Sequence, residues 1–463
     1  MVTRTYTRRA VLGAATLIGG GGLGLVAGRA GWPFHRGDSD SPWNASSFAG
    51  PYEKATSSPT YDQSSALFAE ELSVHPGDVL TLRGRAPHRV DVAVFRAGWK
   101  AADAPILSRT GIDIRAGNSP AAQWPIVLQT PIDFTWVSGL YVAAIRAQDD
   151  HRKVRFAPFV VRSAAPVKRI VVQVPFATYH AYNGWGGASF YSYNSPKGVA
   201  ASMSTRRPFD VFNGAGFMFY GDWPFARWLD REGYEAAFVT SFDLHNDPHL
   251  LQGTKLFVSA FHDEYWSTPM RRHLERFIAS GGNAAFFGAN SMFWRVRLDG
   301  QMMTCRKALK AADDQASDIT AQWRSALIGE PENGLIGSSY EDYVDPYGTR
   351  FDWKVTAPDH WLYEGTNLKL GDTIAGLVGY EWDNTPDPKR PGLTVLASNN
   401  LTKPSGAIRR HDATYLTHPT GGSVLNVGTT YWPRYLLGDT QFRNEPLVEQ
   451  MTRNVLRRMA PSI

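Results

Sequence analysis

From Arg169 onward, short apolar runs rich in β-branched residues alternate with stretches of helical spacing, and this alternation limits the possible folds more than any other feature. Residues 169–174 read as a strand buried on both faces, as a parallel sheet requires. Residues 223–232 carry a helical pattern that stops at Gly233, and residues 235–240 and 255–261 read as two further strands. Ser267, Thr268 and Pro269 open a helix whose apolar positions Met270, Leu274, Phe277 and Ile278 share one face. It closes at Gly281 and Gly282, before a strand at 283–289. Strands and helices in this order predict an α/β architecture with a parallel sheet, a three-layer domain of glutamine-amidotransferase-like or Rossmann-like kind over residues 165–463. A strand at 422–430 and an amphipathic helix at 447–459 complete it. The polar, aromatic stretch 296–405, where the pattern is lost, is expected as an insertion, with Tyr380-Glu381-Trp382-Asp383 facing the cleft.

Upstream the period changes. Residues 66–164 hold short runs such as Val90, Val92 and Val94 in alternation, separated by turns such as His75-Pro76-Gly77-Asp78, and predict a β-sandwich of immunoglobulin-like or jelly-roll type. Residues 31–65, rich in Ser, Pro, Gly and Asp, read as a linker. Residues 1–30 read as a twin-arginine signal peptide: Arg8 and Arg9 precede an apolar stretch with glycines at 19–22 and small residues Ala27 and Ala30 at its exit. An uncleaved anchor is the alternative, although the stretch is short for a span. The protein is therefore expected to leave the cytoplasm through the Tat export machinery, with no stable membrane span after cleavage. One cysteine, Cys305, makes no internal disulfide and suits a protein folded before export. The net charge of +5 comes without a Lys/Arg stripe, so no nucleic-acid partner is expected.

In an open parallel sheet, ligands gather where strands end at the carboxyl edge. Three such places stand out: the loop at 175–187 with Tyr179, His180, Tyr182 and its glycines; the run His262-Asp263-Glu264-Tyr265-Trp266-Ser267; and Gly288-Ala289-Asn290-Ser291. Each has a plain structural use as well, a packing tyrosine, acids favouring a helix start, a turn-capping asparagine. Their convergence on one rim is what singles them out. Nucleophile machinery is missing there, because Cys305 lies after the fourth strand and no G-x-S-x-G elbow occurs. No H-E-x-x-H, CxxC or zinc-spaced His pair is present either. Glutamate and tyrosinate remain, hard donors better matched to a ferric ion than to zinc.

The segments Thr178 to Gly187, His262 to Ser267, Gly281-Gly282-Asn283 and Gly288 to Arg295 resemble the C-terminal domain of the large (beta) subunit of N,N-dimethylformamidase. The likeness covers most of 168–463 and extends through Trp136 to Tyr141 in the β-module. It implies a mononuclear Fe(III) held by two tyrosines and a glutamate, here Tyr141, Tyr182 and Glu264, with His262 and Asn290 orienting water or amide as catalytic groups. The expected function is an exported, metal-dependent amidohydrolase that cleaves the C–N bond of a small-molecule amide, as a possible homo-oligomer. The alternative is a non-catalytic secreted binding protein that holds carbohydrate or cell-wall fragments on the same fold.

Overall fold

The computed structural model describes residues 63–461 except 100–103, 118, 151–152, 166–168, 308–313, 315–317, 346–347, 420 and 439–440. The expected signal peptide and nearly all of the linker lie outside the described residues.

Seven strands form the central sheet of this α/β protein: β1 (Ile170–Val174), β2 (Ala237–Thr240), β3 (Leu256–Ser259), β4 (Asn283–Phe286), β5 (Leu393–Thr402), β6 (Ile408–Thr417) and β7 (Ser423–Asn426), in the order β2-β1-β3-β4-β7-β6-β5. The pairs from β2 to β7 are parallel, and β6 and β5 run antiparallel. The sheet is thus mixed, where the sequence pattern predicts a parallel one. The cause is local: β5 and β6 are joined by a tight turn closed by Lys403 N to Ala407 O (2.9 Å), and antiparallel partners need no crossover helix. Both are half-solvated at the sheet edge, so they lack the continuous apolar run of β1, and β5 falls inside the stretch expected as an insertion.

Helices α1 (Phe176–Tyr182), α2 (Asp222–Arg231), α3 (Ser241–Asn246), α4 (Thr268–Ala279) and α5 (Pro446–Met459) connect or cover the sheet. α4 starts as its sequence predicts: Ser267 Oγ accepts from Met270 N, Pro269 lies in the first turn, and Met270, Leu274, Phe277 and Ile278 are buried. α3 begins with a reciprocal cap, in which Thr240 N donates to Asp243 Oδ2 (2.7 Å) and Asp243 N donates to Thr240 Oγ1 (3.1 Å). Asp243 also pairs with Arg162 at 3.1 Å. Asp243→Ala removes cap and ion pair together and is expected to lower stability by about 1–2 kcal/mol, read as a shift in the denaturant midpoint.

Between Ala66 and Val161 lie a three-stranded and a five-stranded sheet. One hydrophobic core draws Leu67, Leu80 and Leu82 from the first and Val90, Val92, Val94, Ile145 and Phe159 from the second. The strand Gly139–Ala147 is buried on both faces, and its residues alternate. Tyr141, Ala143 and Ile145 enter this upstream core, whereas Leu140, Val142 and Ala144 enter the larger core that also holds Tyr182 and β1. Arg96 to Asp230 (2.8 Å) and Ser138 Oγ, accepting from Phe238 N (3.0 Å), tie the upstream strands to the central sheet. Among the described residues no helix is long and apolar enough to cross a membrane.

Candidate functional site

The carboxyl ends of β1, β3, β4 and β7 deliver the polar groups that the apolar sheet itself does not carry. α1 follows β1 directly, so the expected loop at 175 onward is helical through Tyr182, and its last turn presents that phenol. After β3 the chain leaves the sheet through His262, Asp263 and Glu264, and Glu264 N donates to Thr178 Oγ1 of α1 at 3.0 Å. After β4, Gly288 runs so close to Phe261 that an added Cβ would stand 1.7 Å from the Phe261 carbonyl oxygen. This close approach brings the Ala289 carbonyl to 3.3 Å from His262 Nδ1, and Asn290 follows it in a left-handed conformation at φ 54°.

Glu264 is the centre of the cluster and is fully buried. Its Oε2 accepts from the phenols of Tyr182 (2.5 Å) and Tyr191 (3.1 Å), and His262 Nε2 lies 3.4 Å away. Tyr182 also approaches His262 Nε2, at 3.3 Å, and stacks on Tyr191 with ring centres 4.3 Å apart. Tyr265 donates to the Tyr191 oxygen at 2.6 Å. On the other side of the imidazole, His262 Nδ1 faces Glu381 Oε2 at 3.4 Å, and that oxygen accepts from Asn290 Nδ2 at 2.9 Å. Asp383 accepts from Asn290 N (2.8 Å) and from Asn426 Nδ2 (3.1 Å), so the end of β7 braces the same corner. Burial works against a charged His262, but the carboxylates of Glu381 and Glu264 outweigh it and lift its pKa to about 9. Burial pushes the Asp383 carboxyl up to about 7.

Four of the five residues singled out in the sequence therefore meet: Tyr182, His262, Glu264 and Asn290. Tyr141 does not join them. Its phenol donates to the Val137 carbonyl at 2.7 Å, its ring stacks on Trp136 and Phe159, and none of its contacts among the described residues reaches Tyr182 or Glu264. The strand period explains this, because residue 141 enters the upstream core and its neighbours 140 and 142 enter the larger core that also holds Tyr182. Tyr191 lies just beyond the glycine turn in an aromatic run that reads as packing, so the sequence does not point to it. Glu381 belongs to Tyr380-Glu381-Trp382-Asp383, the part of the stretch without periodic pattern that is expected to face the cleft.

This is an α/β protein whose buried carboxylate, phenols and imidazole sit at the carboxyl rim of its sheet, the usual position of a reaction centre in that class. The model of the family described as N,N-dimethylformamidase beta subunit-like, C-terminal, matches residues 91–444, and the chain belongs to that family. The match begins in the upstream strand Val90–Arg96, well before Lys168. N,N-dimethylformamidase beta subunits of an Alcaligenes species and of Paracoccus aminophilus are each 26% identical to the chain, over 286 and 287 residues. The alignments span 50% of this chain and 35% of each relative, so the chain matches about a third of their length. A solved structure, the mmIFT52 N-terminal domain, covers 50% of this chain and 87% of its own at 10% identity and a TM-score of 0.29, a likeness too loose to bear on fold or function.

Proposed function

We propose that the chain is an exported hydrolase of the C–N bond of a small amide, working with a mononuclear ferric ion held by Tyr182, Glu264 and Tyr191. The observation that carries this is the convergence of two phenols and one imidazole on a single fully buried carboxylate. Among the described residues no group of three or more His, Cys, Asp or Glu side chains is placed to hold a metal, so phenolic oxygens are needed to complete a donor set. An all-oxygen, anionic set fits a hard, highly charged cation. When bound, such an ion supplies Lewis acidity toward the amide oxygen and makes water more acidic. The relatives are named for dimethylformamide, which supports a small amide substrate. Export rests on the twin-arginine residues Arg8 and Arg9.

The protein's own groups do the rest. His262, set between Glu264 at Nε2 and Glu381 at Nδ1, holds a proton for the departing amine. Asn290 spends its Nδ2 on Glu381 and keeps Oδ1 buried without a partner among the described residues, an acceptor for water or an amide N–H. The rings of Tyr182, Tyr191, Phe217 and Tyr265 keep bulk water away. Water oxygen bonds to the carbonyl carbon, the C–N bond breaks, and both water protons end on the nitrogen, so that a carboxylate and an ammonium ion leave.

Iron-loaded full-length protein incubated with formamide, N,N-dimethylformamide or N-formylglycine tests the reading. Iron-dependent release of formate from one of them is expected, and no release from any of the three overturns it.

A further inference from the structure

Beside Tyr191 lies a cavity of about 220 Å³ whose lining includes Trp294, Arg306, Lys307 and Ser325. Lys307 joins it to the site. Its ammonium lies 3.5 Å from the centre of the Tyr191 ring and 4.7 Å from those of Tyr265 and Trp294, and Tyr191 in turn donates to Glu264. Cations settle on aromatic faces in this way, which fixes the ammonium between cavity and cluster.

Asp314, Thr320 and Gln322 bring acceptors to the lining, yet three buried polar groups there lack a hydrogen-bond partner among the described residues. The indole N–H of Trp294 and the hydroxyl of Ser325 are buried and have no hydrogen-bond partner among the described residues. Arg306 Nε is also buried, and the carboxylate facing it, Asp314, stands 3.7 Å away, too far for a hydrogen bond. Asp314, the carboxylate in the lining, is already held by Arg297 and by the N–H (2.6 Å) and hydroxyl (2.5 Å) of Thr320. Buried donors without acceptors are unfavourable, and an arriving group with several lone pairs and a negative charge relieves them together.

We propose that this cavity takes a carboxylate carried by the substrate, so that the preferred amide is an N-acylated or N-formylated amino acid rather than an uncharged formamide. The amide half of the statement rests on the hydrolase reading above; the carboxylate site does not. Ile319 and Leu327 add apolar surface to the lining, and about 220 Å³ suits a small molecule.

Calorimetric binding of N-formylglycine and N-formylglycinamide to the full chain tests it, since the two differ essentially in charge. At least about tenfold tighter binding of the acid is expected, the scale of a charge-assisted hydrogen bond. Lys307→Met should erase the preference and Lys307→Arg keep most of it. Equal affinity in the unmodified protein, no binding of either compound, or a preference that survives Lys307→Met overturns the inference. Formate release measured alongside separates the two readings. Charge-selective binding without hydrolysis leaves the carboxylate site and removes the hydrolase, and equal kcat/KM for the two compounds does the reverse.

Discussion

Glu264→Gln is expected to lower kcat/KM for amide hydrolysis by at least about 10³-fold, the scale of losing several kcal/mol of transition-state stabilisation. Glutamine has nearly the same shape but carries no charge, and its amide nitrogen cannot accept from the phenols of Tyr182 and Tyr191 that now donate to Oε2. The same change strips His262 Nε2 of its anionic neighbour. Glu381 remains at 3.4 Å from His262 Nδ1, so the imidazole keeps a carboxylate neighbour when Glu264 loses its charge, and the variant is expected to fold. Steady-state kinetics, with a cooperative melt to show that the variant folds, check this. Activity within tenfold of the unmodified protein would mean that the cluster is structural.

Gly288→Ala is expected to be the most damaging small substitution for stability, costing more than about 4 kcal/mol or preventing soluble expression. The obstacle is main chain: the new methyl meets the Phe261 carbonyl oxygen at 1.7 Å and its carbon at 2.6 Å, and neither can swing away as a side chain does. Relief requires the ends of β3 and β4 to separate, which also pulls the Ala289 carbonyl from His262. Gly233→Ala serves as the contrast. There nothing lies within 4 Å and the penalty is that of its positive φ of 77°, about 1 kcal/mol. Chemical denaturation of both variants measures the difference.

The sequence made the parallel part of the fold readable because β1 to β4 are short, apolar and punctuated by caps and glycines that act locally. It concealed β5 and β6, whose half-solvated faces interrupt the apolar run. The site shows the same division. His262, Glu264 and Asn290 stand within a few residues of a strand end, where position along the chain determines position in space. Glu381 reaches the imidazole from a distant segment, and Tyr191 from a coil, by tertiary packing that no local pattern encodes. Tyr141 shows how a motif misleads: the likeness through Trp136 to Tyr141 finds the strand, but which face a residue takes depends on what packs on each side.

Metal content and colour of the purified full chain bear most directly on the central claim, that phenolic oxygens and one carboxylate share a hard cation. The account predicts about one iron per chain and a visible tyrosinate-to-iron absorption that Tyr182→Phe and Tyr191→Phe each weaken, while Tyr141→Phe leaves it unchanged. Colourless protein that stays free of iron after exposure to excess ferric salt, or a band that Tyr141→Phe alone removes, contradicts it.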